Sequence, residues 1–418
     1  MNTARHVAPT APQPVTWNDH FSSKRRLMDD SGIRAILGIA SRPGILSFAG
    51  GLPDPDLLPV QQIAECTKTV LHNHGTAALQ YGVADGVSSL AECLSTLSRS
   101  RGADCAPSNV IPTTGSQQGI DLIANVLLNQ GATIAVTRPT YLGALQIFSA
   151  FKPRYLEVSC DDEGPILSEV EAALREKPAF FYVVSIFQNP TGTTISPRRG
   201  EAIVRLCHQY DVPLVEDAAY RELFYEEAPI SLRAVESTML RRNGHRYEEH
   251  GRVLYLGTLS KVMSPGLRVG WIEAPSSVIR GVACLKQGND LHCGVLNQLV
   301  AAEFLKTYAE EYWKHIRAAY KKRRDQAVES VSKHLGTIIT RCTNPTGGFF
   351  LWVEADSRVN TAKMLQTSVE KFGVAFAPGA PFFAQRPASN TMRVSFSNLS
   401  LSNIELGIKA LGQALRSR

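Results

Sequence analysis

The chain has no apolar run that could cross a membrane, since no stretch comes near the roughly 20 apolar residues that a spanning helix needs. Residues 1–16 are rich in Ala, Pro and Thr and lack the hydrophobic segment of a signal peptide. We therefore expect a disordered tail over residues 1–16 and a cytoplasmic protein without a membrane partner.

Paired cysteines are also missing. The eight cysteines are scattered, with no CxxC pair and no accompanying histidine cluster. They are typical of reduced, small core residues in a cytosolic protein. The sequence therefore indicates neither a disulfide framework nor a metal site.

Long basic runs are absent as well. The formal net charge is +6, and no basic run exceeds residues 321–324 (KKRR), which lie within a helical pattern. A solvated helix face explains this run better than a nucleic-acid site, so we expect no nucleic-acid partner.

A length of 418 residues with 44% hydrophobic content predicts a large core and two domains. Between about residues 105 and 275, short apolar runs alternate with helical patterns, one of which opens with a capping-box signature at Ser168 and Glu171. Strands that are apolar on both faces predict a mostly parallel sheet in a three-layer α/β/α domain. The predicted strands are 110–112, 133–136, 155–158, 180–186, 212–216, 253–256 and 269–272.

The pattern changes beyond about residue 295. A long helical stretch to about residue 335 precedes strand-like runs at 349–353, 374–376 and 392–396 and helices at 361–372 and 402–416. The last helix starts with a second capping-box signature, Ser402 and Glu405. These elements predict a smaller α+β domain. The predicted division is an N-terminal arm and helix at 17–60 that packs with the small domain, a large domain at 61–315 and the small domain at 316–418.

Four segments place polar residues directly after apolar strands. The first, residues 113–118 (TTGSQQ), turns into a helix whose free N–H groups can bind an anion. Taken alone, this segment is better explained as an ordinary capped helix. The second, residues 188–192 (QNPTG), follows another strand, and its Asn-Pro and Thr-Gly pairs are also typical of a turn.

The other two segments carry charged residues. Residues 215–220 (VEDAAY) bring Asp217 to the end of a strand, where open α/β sheets bind ligands, although a helix-capping Asp is an equally good interpretation. Residues 257–261 (GTLSK) surround Lys261 with hydroxyl and apolar side chains, and residues 265–270 (PGLRVG) add Arg268. Burial lowers the pKa of a lysine and makes it a competent imine-forming nucleophile.

The order and separation of these four segments resemble the fold-type I enzymes of pyridoxal 5′-phosphate (PLP), in the class I/II aminotransferase group. The pattern is most similar to the branch with 2-aminoadipate and kynurenine aminotransferases. The resemblance extends from about Trp17 to the C-terminus and includes residues 47–53 (SFAGGLP), 81–82 (YG), 138–141 (RPTY) and 393–396 (RVSF). It implies the aspartate aminotransferase-like fold.

The resemblance also implies PLP as the cofactor and gives it a set of residues. Lys261 would hold PLP as an imine, and Asp217 would keep the ring nitrogen protonated so that the ring can accept electrons. Tyr220 and Asn189 would hydrogen-bond the 3-oxygen of the ring, and Tyr141 would stack on its face. The residues implied for the phosphate are Ser116, Gln117, Thr258, Ser260 and Arg268.

Further residues follow from the same resemblance. Arg393 would bind the substrate α-carboxylate bidentately, beside Asn189 and Gly51. Arg34 matches an arginine that binds the distal carboxylate of the substrate in the aminoadipate-like relatives. The alternative is an arginine on a helix surface. Tyr81 would reach the phosphate of a neighbouring subunit, which implies a homodimer with shared active sites.

One position departs from these relatives. Ala218 stands where they often carry a second acidic residue. Because Asp217 and Tyr220 keep their spacing, we expect the departure to change local electrostatics more than catalysis.

The implied function is transfer of an amino group between an L-amino acid and a 2-oxo acid, with 2-oxoglutarate and glutamate as one pair. A PLP-dependent oxidase, decarboxylase or β-lyase would share the same cofactor residues and stays open as an alternative. A PLP-bearing sensor domain of a transcription factor is disfavoured, because only about 16 residues, without a helix-turn-helix pattern, precede the region of resemblance.

Overall fold

The computed structural model describes residues 15–22, 24–25, 38 and 44–417. Its α-helices are α1 Trp17–His20, α2 Val60–Leu79, α3 Ser88–Ser100, α4 Ser116–Leu127, α5 Leu142–Ser149, α6 Leu167–Arg175, α7 Pro197–Tyr210, α8 Leu232–Arg242, α9 Tyr247–His250, α10 Ser276–Asp290, α11 Val295–Thr307, α12 Ala309–His334, α13 Thr361–Phe372 and α14 Leu401–Arg416. Its strands are β1 Leu46–Ser47, β2 Val110–Thr113, β3 Thr133–Arg138, β4 Arg154–Asp161, β5 Gly164–Pro165, β6 Phe181–Val184, β7 Leu214–Asp217, β8 Val253–Thr258, β9 Gly270–Glu273, β10 Ile339–Cys342, β11 Phe350–Ala355, β12 Val374–Ala375, β13 Ala377–Pro378 and β14 Thr391–Ser395.

The largest sheet has eight strands in the order β2-β9-β8-β7-β6-β3-β4-β5. The strands from β8 to β4 run parallel, whereas β9 is antiparallel to β8 and β2, and β5 is antiparallel to β4. This arrangement confirms the predicted mostly parallel sheet.

Both faces of this sheet are covered, which explains why its central strands are apolar throughout. In β6, Phe181 and Val183 pack into one core with α6 and α7, while Tyr182 and Val184 pack into another core with α4 and α5. Successive side chains of a strand point to opposite faces, so a strand between two helical layers buries every residue. The large sheet therefore forms the middle of three layers, as predicted.

The C-terminal sheet is antiparallel and has four strands in the order β10-β11-β14-β13. Residues Leu46 and Ser47 in β1 pair with β12 in a separate two-stranded sheet. The α+β character of this region agrees with the prediction. The domain limits after residues 60 and 315 stay a prediction, and α12 continues through the second of them.

The helix ends differ from the sequence prediction in three places. Ser168 lies inside α6, whose N-cap residue is Ile166, so the first predicted capping box is wrong. The second is also wrong, because Ser400 caps α14 by accepting the N–H of Asn403. The long helical stretch is two helices, α11 and α12, since the backbone leaves the helical region at Tyr308.

No helix among the described residues is long and apolar enough to cross a membrane.

The carboxyl ends of β2, β7 and β8 lie at the same edge of the large sheet, because β9 runs opposite to both of its neighbours. Gly270 opens β9 at this edge and pairs with Thr113 on one side and Thr258 on the other. A Cβ atom on Gly270 would lie 2.6 Å from the carbonyl carbon of Gly115 and the nitrogen of Ser116. The glycine therefore lets the turn before α4 rest on β9.

We expect Gly270→Ala to lower the free energy of unfolding by about 1–3 kcal/mol, because backbone atoms cannot yield to the added methyl group. Gly288→Ala is the matched control, since Gly288 lies in α10 and a Cβ atom there would have no atom of the described residues within 4 Å. An alanine in an exposed helix interior is expected to be neutral or stabilising. Denaturant unfolding of both variants checks this, and equal stability of the two would contradict it.

Candidate active site

A cavity of about 330 Å³ opens at this edge of the sheet. It brings together residues from segments that are far apart in the chain. The predicted site residues that line it are Gly51, Ser116, Gln117, Tyr141, Asn189, Asp217, Tyr220, Thr258, Ser260, Lys261, Arg268 and Arg393.

A larger groove of about 890 Å³ lies elsewhere and is lined by none of the predicted site residues that the structure describes. In its wall, the Glu222 carboxylate forms ion pairs with Arg101 at 2.5 Å, Arg221 at 2.9 Å and Arg317 at 3.3 Å. These ion pairs join the C-cap residue of α3, helix α12 and the segment after β7, which is a structural role. The smaller cavity is therefore the candidate active site.

Lys261 lies just beyond the end of β8, and its Nζ donates to the carbonyl oxygen of Gly51 at 3.1 Å. Burial, followed by the positive charges of Arg393 and Arg268, lowers the pKa of Lys261 to about 8. A lowered pKa raises the fraction of neutral amine, which is the form that attacks a carbonyl group.

Asp217 ends β7 and is buried. Its Oδ2 accepts the phenol of Tyr182 at 2.7 Å, whereas its buried Oδ1 has no hydrogen-bond partner among the described residues. Burial raises the pKa of Asp217 to about 6, although the hydrogen bonds from Tyr182 and the Ala219 backbone act in the opposite direction. A buried unpaired carboxylate oxygen is costly, so this atom calls for a cationic N–H donor. The protonated ring nitrogen of PLP is such a donor.

The turn before α4 and the segment after β8 together form a donor-rich end of the cavity. Arg268 donates from Nη1 to the Ser260 hydroxyl and from Nη2 to the Thr114 carbonyl, both at 3.3 Å. Gly115 has a positive φ of 78°, and a Cβ atom there would lie 2.4 Å from Nη2 of Arg268. A guanidinium, hydroxyl groups and the free N–H groups of a helix start suit a phosphate group.

Arg393 lies on β14 and is buried. It donates from Nη1 to the side chain of Asn189 at 2.7 Å and from Nη2 to the carbonyl of Ala49 at 2.5 Å. Its Nε is buried without a partner among the described residues. Burial lowers the pKa of Arg393 to about 10, so the side chain stays charged at neutral pH. The site therefore keeps a buried cation with a free donor, which suits a carboxylate ligand.

Tyr141 and Gln117 form a further part of the lining. The Tyr141 hydroxyl donates to Oε1 of Gln117 at 3.1 Å, and Gln117 donates to the carbonyl of Gly143 at 3.1 Å. Burial and the nearby charge of Asp217 raise the pKa of Tyr141 to about 12, so it remains a neutral phenol. Its ring is thereby fixed at the cavity.

Among the predicted site residues that the structure describes, Tyr81 does not line the cavity. Tyr81 is 79% exposed and its ring packs edge-on against His292 at 5.8 Å between centroids. Arg34 lies outside the described residues.

Tyr182, which donates to Asp217, was not predicted from the sequence, nor were Val184, Leu142 and Ala219 in the cavity lining. Tyr182 lies within an apolar strand, where it is expected to be a core residue. The one signal in the sequence was a single tyrosine in an otherwise apolar strand that precedes the strand with Asp217. Side chains of neighbouring strands can hydrogen-bond to each other, so this tyrosine was a possible partner for Asp217.

Comparison with known proteins agrees with this geometry. The family model for aminotransferases of class I and II matches residues 46–411. The 2-aminoadipate transaminase of Thermus thermophilus is 36% identical over 406 residues, which cover 97% of this chain and 98% of that protein. Aromatic-amino-acid aminotransferase 1 of Thermococcus litoralis is 36% identical over 411 residues, which cover 96% of this chain and 95% of that protein.

A solved structure shows the same similarity. The α-aminoadipate aminotransferase of Thermus thermophilus, complexed with N-(5′-phosphopyridoxyl)-L-leucine, matches with a TM-score of 0.87 and 35% identity, and the match covers 96% of this chain and 98% of that one. The predicted fold type I, the PLP cofactor and the amino-transfer activity are thereby confirmed, and these relatives do not favour the oxidase, decarboxylase or β-lyase alternatives. The chain belongs to the class I and II aminotransferases, the PLP enzymes that move an amino group between an amino acid and an oxo acid.

Proposed function

We propose that this enzyme transfers the amino group of an L-amino acid to a 2-oxo acid, with 2-oxoglutarate and glutamate as one pair, in a homodimer with shared active sites. The observation that carries the proposal is the meeting of three charged residues in one cavity. Lys261 has a lowered pKa, and within the described part of the chain Oδ1 of Asp217 and Nε of Arg393 are buried without a hydrogen-bond partner. A cytoplasmic location stays a prediction.

PLP, when bound, supplies the electron sink that makes the α-proton of an amino acid removable. Asp217 would hold the ring nitrogen through Oδ1, while Tyr182 fixes the other oxygen. Tyr220 and Asn189 would face the 3-oxygen, and burial raises the pKa of Tyr220, so its phenol can donate a hydrogen bond. The hydroxyls of Thr258 and Ser260, with Arg268 and the start of α4 at Ser116 and Gln117, would hold the phosphate.

Lys261 and Arg393 would act on the substrate. Arg393, oriented by Asn189 and Ala49, would bind the α-carboxylate and fix the direction of the α-carbon. Lys261 would take the proton from the α-carbon and deliver it to C4′ of the cofactor. A base with a pKa near neutrality suits this role, because it can both accept and release a proton. Gly51 supports this role, since its carbonyl holds the Lys261 amine inside the cavity.

The relatives support a broad choice of side chain. The similar proteins are named for 2-aminoadipate and for aromatic amino acids, and the solved structure carries a leucine adduct. A site that accepts both acidic and apolar side chains needs a cation that binds only the acidic ones. Arg34 stays our candidate for it.

We expect the lowered pKa of Lys261 to govern cofactor capture. When PLP is added to the cofactor-free full chain, the rate of yellow-colour formation should rise about tenfold per pH unit below pH 8 and level off above it, because only the neutral amine reacts. Stopped-flow absorbance from about pH 6 to 10 checks this, with Lys261→Arg as the background control.

Borohydride reduction followed by peptide mapping should place the cofactor on Lys261. An adduct on another lysine would remove the basis of the proposal. A rate that keeps rising to the upper end of this pH range, as expected for an amine with the ordinary lysine pKa of 10.5, would show that burial does not lower the pKa of Lys261.

Substrate choice tests the 2-oxoglutarate proposal. We expect Arg34→Ala to lower kcat/KM for glutamate and 2-aminoadipate about 100-fold or more and to spare leucine, since an unpaired buried carboxylate costs about 3–5 kcal/mol. Arg393→Lys should lower kcat/KM for every substrate, because each carries an α-carboxylate. A substrate panel with 2-oxoglutarate, in which oxo-acid formation and oxygen uptake are both followed, provides the measurement.

Equal losses for acidic and neutral substrates would give Arg34 a general positioning role. Oxygen uptake in place of amino transfer to 2-oxoglutarate would contradict the proposed reaction.

The proposed dimer rests on the exposed position of Tyr81. A tyrosine that is 79% exposed and does not line the cavity of its own chain is suited to complete the site of a partner. We expect mixed dimers of Tyr81→Phe and Lys261→Ala to regain part of one active site, and so part of the activity, while each variant alone is impaired. Absence of complementation after verified subunit exchange would mean that each site is built from one chain.

A further inference from the structure

Behind the donor-rich end of the cavity lies a chain of polar contacts that the reaction described above does not use. Gln118 in α4 accepts the backbone N–H of Thr114 at 2.6 Å through Oε1 and donates to Oδ2 of Asp290 at 2.6 Å through Nε2. Oδ1 of Asp290 accepts the amine of Lys286 at 2.6 Å. We call Lys286, Asp290 and Gln118 the brace. It joins the last turn of α10 to the turn that precedes α4.

The brace contains a fully buried charge. The side chain of Lys286 is 0% exposed, and Asp290 lies one helical turn further along α10. Burial alone would raise the pKa of Asp290, but the hydrogen bonds from Lys286 and Gln118 outweigh it and hold the pKa below its ordinary value. A buried ion pair contributes little net stability compared with apolar residues of similar shape, so its presence points to a positioning role.

The turn after α10 is also unusual. Leu291 has φ 61° and ψ −58°, and the N–H of His292 donates to the carbonyl of Asp290 at 2.7 Å. This is the γ-turn geometry that is strained for a residue with a side chain. The strain is offset by contacts on either side of the turn, which include Asp290 itself.

Both sides of this turn lead to the proposed phosphate contacts. On one side, the brace holds Thr114, whose carbonyl accepts Arg268 at 3.3 Å. On the other side, Nε2 of His292 accepts the N–H of Gly82 at 3.1 Å, next to Tyr81. A shift of the turn at Leu291 would therefore displace two groups. One is the turn before α4, which we propose binds the phosphate of this chain, and the other is Tyr81, which we propose reaches the phosphate of the partner subunit.

We propose that the brace is a positioning device for phosphate recognition. Gln118 fixes the position of Thr114, and Thr114 in turn positions Arg268 and the start of α4. The Lys286–Asp290 pair holds the side chain of Gln118 in place. The brace contacts neither the ring site at Asp217 nor Lys261. Its hydrogen bonds lead to the phosphate contacts at Thr114 and Arg268, and the inference rests on the phosphate position proposed above.

The test compares two ligands that differ only in the phosphate: PLP, which has it, and pyridoxal, which lacks it. We expect Gln118→Leu in the full chain to raise the Kd for PLP about tenfold, the size of one or two lost hydrogen bonds, and to leave the Kd for pyridoxal unchanged. Binding titrations at one pH, with the unfolding midpoint recorded beside them, give both quantities. Equal losses for PLP and pyridoxal, or no loss for either, would overturn the inference.

A rescue variant separates positioning from a folding defect. Gln118→Glu places a second carboxylate beside Asp290 and should weaken PLP binding selectively. Adding Asp290→Asn exchanges the amide and the carboxylate, so that Asn can donate to Glu while Glu still accepts the Thr114 N–H. The double variant should regain the preference for PLP over pyridoxal, and a failure to regain it in a folded protein counts against the brace.

Two controls complete the design. Lys321→Met with Asp325→Asn neutralises a matched pair at the same helical spacing, 43% and 51% exposed, and should leave the binding of both ligands unchanged. Arg268→Ala should lose PLP selectively. If it does not, the proposed phosphate position fails, whereas selective loss in Arg268→Ala without loss in Gln118→Leu overturns only the brace.

Discussion

The buried carboxylate of Asp217 is the constraint on which the cavity depends. Tyr182 satisfies one of its oxygens, and the other has no partner among the described residues. Because a buried unpaired oxygen is costly, this oxygen needs a hydrogen-bond donor, and a protonated ring nitrogen would supply one. The pKa of about 6 means that Asp217 is largely ionised at neutral pH, so it can keep that nitrogen protonated.

The positive charges of the cavity outnumber its negative charge, which prepares it for anionic ligands. Arg268, Arg393 and Lys261 share a space with one carboxylate, and the two arginines contribute to the lowered pKa of Lys261. A phosphate near Arg268 and a carboxylate near Arg393 would each remove part of this repulsion. Lys261 would then become a stronger base as the ligands bind, which links substrate binding to proton transfer.

Close backbone approach makes this concentration of donors possible. Gly270 allows the turn before α4 to rest on β9, and Gly115 leaves room for the guanidinium of Arg268. Donors fixed in this way need no rearrangement when an anion binds, because the conformational entropy of these groups is already lost during folding.

The sequence by itself determined the fold class and most of the candidate site. Apolar strands followed by polar residues predict an edge where ligands bind, and the residues around Asp217 and Lys261 carry the chemistry in short local motifs. Local signals failed where tertiary contacts compete: Ser168 has a capping pattern, yet α6 begins before it.

Only the tertiary structure decided which residues that are distant in the chain form hydrogen bonds and ion pairs with each other. Tyr182 looks like a core residue until β6 and β7 are placed side by side, and Asp290 meets Gln118 although the two lie 172 positions apart in the chain. Such contacts leave no periodic pattern or fixed spacing in a single sequence, because they depend on how helices and strands pack rather than on how each one forms.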